Sequence, residues 1–102
     1  MKEEAFLGDV LEAFLRDIGR DDILALGEIH RKWREIAGER LFEKSVPAAL
    51  KENRLVVLAP APAWSSEIHM MSPVLLKRIE EETGIKIDEI RVKTDKNLKN
   101  PR

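Results

Sequence analysis

The side chains of this 102-residue chain with the means to do chemistry are two adjacent serines, Ser65 and Ser66, two histidines, His30 and His69, and a large set of charged groups, 19 acidic and 18 basic. A nucleophilic serine needs a base within hydrogen-bond reach and a third group to orient that base, and nothing near Ser65-Ser66 supplies them. The pair reads as capping or opening a helix. The chain has no cysteine, which excludes disulfides, thiolate nucleophiles and thiolate ligands, and two distant histidines do not form a structural zinc site. The carboxylates stand among lysines and arginines at helix-surface spacing, the pattern of solvated faces and not of a paired acid and base. No catalytic constellation, cofactor or metal is therefore expected, and binding is the chemistry that remains.

Charge bounds what could be bound. The near balance of basic and acidic groups creates no global field toward nucleic acid or anionic lipid, so such binding must come from a local patch. The ends differ in sign: residues 1–22 hold three basic and seven acidic groups, whereas residues 86–102 hold six basic and three acidic. A basic end is often a nucleic-acid footprint, but Asp95 to Arg102 has no apolar period and also fits a short solvated tail. The apolar runs fall short of the roughly 20 residues of a bilayer span, and Met1-Lys2-Glu3-Glu4 lacks the order of a signal peptide. A soluble cytoplasmic protein with no membrane partner is expected.

The elements that must position these groups follow from periodicity. Phe6, Leu7, Val10, Leu11, Phe14 and Ile18 recur at spacings of three and four, so residues 1–22 are read as an N-terminal amphipathic helix, packed on the core or presented to a partner. Asp21 or Asp22 can cap a second helix. On it, Leu26, Ile29, Trp33, Ile36 and Ala37 form one stripe, with Arg31, Arg34 and Glu35 on the opposite side and His30 at the margin. Gly38 either ends that helix or permits a close backbone approach. Lys44 to Leu50 reads as a strand that Pro47 restricts to a sheet edge or a bulge. A polar turn, Lys51 to Arg54, with Asn53 able to take positive φ, leads into the apolar strand Leu55 to Ala59.

Pro60 and Pro62 end that strand, and Pro62 suits the first turn of a third helix. Trp64, Ile68, Met71, Leu75, Leu76 and Ile79 give this helix one apolar face, and Ser72-Pro73 predicts a kink or a restart capped by Ser72. Beyond Gly84, Ile85 and Ile87 share one parity and Ile90 and Val92 the other, so Asp88-Glu89 marks a bulge or the true start of a last strand. The order is α-α-β-β-α-β: an α+β, KH-like fold of type II order, a three-stranded sheet with helices packed on one face. KH domains that grip single-stranded nucleic acid use a Gly-x-x-Gly loop, and this chain has none.

Trp33-x-x-Ile36-Ala37-Gly38, the Ser45-Val46-Pro47 step, the hairpin Leu50 to Val57, the helix start Ala63-Trp64-Ser65-Ser66-Glu67-Ile68 and the closing Ile87-x-x-Ile90-Arg91-Val92 together resemble the DciA family over residues 23–93. The resemblance implies a KH-like domain of a bacterial replication protein that binds the DnaB-type replicative helicase and assists its loading onto DNA, with no enzymatic activity of its own. Many members carry longer basic extensions; here only residues 94–102 stand in that place. On this reading the structural positions are Trp33, Gly38, Pro47 and Trp64, with both tryptophans in the core. The expected contacts to helicase or DNA are Arg31, Lys32 and Arg34 on the second helix and a basic strip of Arg91, Lys93, Lys96 and Lys99. Single-stranded DNA is expected to bind weakly. A stand-alone single-stranded DNA- or RNA-binding module and a dimerisation domain using the first helix are the alternatives.

Overall fold

A computed structural model describes residues 20–98; residues 1–19 of the segment read as an N-terminal amphipathic helix, and the contact residue Lys99, lie outside them. The described chain is α+β. Helices α1 (Arg20–Arg31) and α2 (Trp33–Phe42) precede strands β1 (Val46–Lys51) and β2 (Arg54–Ala59), then helices α3 (Pro62–Met70) and α4 (Ser72–Thr83) and strand β3 (Glu89–Thr94). The sheet order is β1-β2-β3. β1 runs antiparallel to β2, and β3 runs parallel to β2.

The helical stripe expected to be continuous is divided. Lys32, at φ −99° and ψ 10°, separates α1 from α2, although Lys32 N still donates to Glu28 O and Ile36 N to Lys32 O. Because those bonds persist, Ile29, Trp33, Ile36 and Ala37 keep a common face and are all buried, with Leu26 packed beside them. Asp21 and Asp22 sit in the first turn of α1 and do not cap it; their charge complements the helix N-terminus. Gly38 decides between its two readings. It adopts φ +85° and ψ 157°, which breaks the helix, and the space where a Cβ would stand is open, so close approach is not its role. Ile36 O, two residues before this break, accepts a hydrogen bond from Arg78 Nη1 at 3.3 Å.

Pro47 occupies both of the places open to a proline. β1 is an edge strand, and its register shifts in a bulge between Pro47 and Ala49. In the turn that follows, Glu52 and Asn53 both take positive φ, 53° and 64°, as a two-residue loop of the primed type requires. The third helix is indeed interrupted at Met71. Ser72 is not the cap, however: its hydroxyl donates back to Ile68 O at 3.3 Å, and no side chain caps α4. Ser65-Ser66 does not cap α3 either, because the helix begins at Pro62. Gly84 closes α4 in the left-handed conformation, at φ 75°, and Glu89 is the true start of β3.

Two apolar clusters cover the two faces of the sheet. The larger gathers Leu55, Val57, Ala59 and Ile90 under residues of all four helices, among them Trp33, Ile68, Leu75 and Ile79. On the other face a small cluster of Val46, Ala48 and Leu58 is covered by Leu98. The chain reaches it by a turn in which Asp95 N donates to Ala59 O, Leu98 N to Asp95 O, and Asn97 N to Asp95 Oδ1. Residues 95–98 thus return under the sheet on the strength of one leucine, which carries no periodic signal in sequence.

Candidate interaction surfaces

The two tryptophans have different surroundings. Trp33 is 1% exposed, and its Nε1–H donates to Ser45 Oγ at 2.9 Å. Ser45, fully buried, donates in turn to Leu41 O. The indole is a core pin whose polar edge is satisfied internally. Trp64 is only half-buried: it packs against the same core while its ring faces cations. Arg40 Cζ stands 5.0 Å from the ring centroid and Lys44 Nζ 6.0 Å, both within the range of cation–π attraction. Trp64 thus sits at the margin of the core.

Arg40 is held over the ring by Glu67, one helical turn beyond Trp64, with which its guanidinium makes a two-pronged ion pair. This hydrogen bonding raises the Arg40 pKa and lowers that of the Glu67 carboxyl. A half-exposed tryptophan beneath two cations, with one carboxylate orienting the arginine, combines the residue types that dominate protein–protein hot spots. Arg40, Lys44 and Glu67 were not marked by sequence reasoning. The available signal was Gly38: a helix that breaks there sends the following residues in a new direction, toward α3.

The cations expected to make contacts fall into separate groups. Arg31 is paired with Glu28 in its own helix. Arg34 pairs with Glu39 at 3.2 Å and lies 4.7 Å from the Phe42 ring centroid. Lys32, at the junction of α1 and α2, is half-buried. These three belong to the helical layer. Arg91 and Lys93 stand beside Val56 and Leu58 in the β2–β3 register, on the face that carries the small Leu98 cluster. Arg91 shares Glu89 with Arg54, at 3.3 and 3.5 Å, and Lys96 is exposed in the turn after β3. The sheet thus separates the α1–α2 cations from Arg91 and Lys93.

Among the described residues no group of three or more histidine, aspartate or glutamate side chains is placed to hold a metal ion. No described helix is long and apolar enough to cross a membrane.

The chain matches the family model described as "Dna[CI] antecedent, DciA" over residues 7–92, reaching back into the N-terminal segment. A UPF0232 protein of Mycolicibacterium smegmatis is 28% identical over 83 residues, which are 81% of this chain and 43% of that protein. A UPF0232 protein of Streptomyces avermitilis is 29% identical over 80 residues, 76% of this chain and 44% of that protein. A third, from Mycolicibacterium smegmatis and described as lying in the recF-gyrB intergenic region, is 26% identical over 83 residues. The chain spans less than half the length of these curated relatives. With the family model matched over residues 7–92 of this chain, a stretch that includes both tryptophan motifs, β1, β2 and β3 as far as Val92, the chain belongs to the DciA family.

Proposed function

We propose that this chain is a non-enzymatic DNA-replication adaptor that binds a DnaB-type replicative helicase and assists its loading onto DNA, touching single-stranded DNA only weakly. The observation that carries this reading is the DciA match over residues 7–92. Trp64 supports a protein contact: with Arg40 and Lys44 over its ring, it offers an aromatic anchor and two cations at one spot. The α1–α2 cations Arg31, Lys32 and Arg34 contribute from the same helical layer. Arg91, Lys93, Lys96 and Lys99 serve the weaker DNA contact, and the engagement of Arg91 with Glu89 limits its strength. The domain is KH-like without the Gly-x-x-Gly clamp, which favours the adaptor over the stand-alone nucleic-acid module.

Calorimetric titration of the purified chain into its cognate replicative helicase tests this. Binding at tens of micromolar or tighter is expected, weakened about tenfold or more by Trp64→Ala. The double change Arg40→Ala/Lys44→Ala, which leaves the indole in the core, is expected to weaken it in the same direction. Absence of heat and of co-migration at those concentrations overturns the adaptor reading.

A further inference from the structure

The two outer strands of the sheet are built differently. β1 carries Pro47, which has no N–H to offer, and a bulge that shifts its register; both features discourage a further strand. β3 has neither, and its six residues stay in continuous step with β2 from Arg54 opposite Glu89 to Ala59 opposite Thr94. Asp95 N donates to Ala59 O at 2.8 Å. In a parallel ladder the bonding alternates with period two, so Arg91 and Lys93 turn their backbone groups toward β2. Those of Ile90, Val92 and Thr94 turn outward.

Beside this outward edge lies a shallow groove between β3 and α3, lined by Ser65, Ser66, His69, Met70 and Val92. Met70 is 79% exposed, the most exposed large apolar side chain among the described residues. The groove has no lysine or arginine in its lining, so it offers a phosphate backbone nothing to neutralise. It does offer an apolar surface and the Ser66 hydroxyl beside a row of outward-turned backbone groups, with Ser65 Oγ bonded to Thr94 Oγ1 at 2.6 Å at its end. The opposite side of the same edge has another character: in the two rows nearest it stand Arg54, Glu89, Arg91 and Lys93, with Glu89 shared between the two arginines and Glu52 also beside Arg54.

We propose that the outer edge of β3 accepts an extended segment of a protein partner as a fourth strand. Alternate residues of that segment are apolar and rest against Val92 and Met70, and the intervening residues are acidic and face Arg91 and Lys93. The two sides of the edge dictate this pattern, because successive side chains of an added strand point to opposite faces. The site is distinct from the Trp64 surface and does not depend on the partner being a helicase.

Selection of a random peptide display library against the intact chain, followed by synthesis of the best binder, tests the assignment. The selected peptides should alternate acidic and aliphatic residues. On binding, the amide protons of Ile90, Val92 and Thr94 should become protected from exchange, while those of Arg91 and Lys93, already bonded to β2, change little. N-methylation of the peptide should cost about tenfold in affinity at every second position and little at the others. Val92→Pro removes an outward-facing N–H without removing a β2–β3 bond, so it should abolish binding with the sheet retained. Arg91→Glu/Lys93→Glu should reverse the preference for acidic residues. Failure to select binders, binders that protect other amides, N-methyl sensitivity without period two, or a single-stranded oligonucleotide that protects the same three amides more strongly than the peptide would each overturn the proposal.

Discussion

Ser45 has no catalytic partner, yet its hydroxyl is the most constrained polar group of the described chain: it accepts from Trp33 Nε1 and donates to Leu41 O inside the core. Ser45→Ala would leave the indole N–H buried with no acceptor. Such a loss costs about 1–3 kcal/mol, and chemical denaturation should show the midpoint falling with the slope unchanged. The sequence marks Trp33 as a core residue through its place on an apolar stripe. It does not reveal the bond to Ser45, because the two residues meet only after Gly38 has turned the chain. The same turn shapes the surroundings of Trp64. Its stripe is genuine, but Arg40 and Lys44 come to its exposed edge from beyond the break, where periodicity no longer reports direction.

At the level of elements, the link between the turn after Gly38 and α3 is the Arg40–Glu67 pair. It lowers the Glu67 pKa, so it favours the folded chain above the ordinary glutamate value of 4.5. That contribution is lost as pH falls through the lowered folded-state value. Both side chains are solvated, so the effect on stability is small. The titration itself is a clear readout: followed by NMR, the Glu67 carboxyl should titrate below the usual range in the parent and return to it in Arg40→Ala. Local chemistry made several other elements legible, including Pro62 at a helix start, Asn53 at positive φ, Gly84 at a helix end and Pro47 at an edge and bulge. The helix caps were less so. Ser72 bonds backward to Ile68 O, an alternative always open to a helical serine.

For the molecule as a whole, apolar parity was enough to assign an α+β arrangement and most of the larger cluster, since each helix and strand there carries a periodic face. It was not enough to divide the charged residues among faces. Arg31 and Arg34 are placed by helix period and Arg91 and Lys93 by strand period, and only the sheet's register shows that the pairs lie on opposite sides. Leu98 was equally hidden, because a single apolar residue in a basic stretch has no period to reveal it. Leu98→Ala uncovers Val46, Ala48 and Leu58 and should lower unfolding free energy by about 2 kcal/mol, measured by urea titration.

The parallel pairing of β3 with β2 has a consequence for the newly made chain. The β1–β2 hairpin closes between neighbours in sequence, but a parallel partner can arrive only after the helical crossover is in place, and such distant contacts form late. Until then the uninterrupted apolar run Leu55 to Ala59 is itself an unpaired edge, the kind of segment that recruits other chains into aggregates. The strand that finally covers it, Glu-Ile-Arg-Val-Lys-Thr, is the most charged of the three. Pairing with β3 replaces that apolar margin with one that carries three charged side chains, and a chain truncated before Glu89 should be found in inclusion bodies.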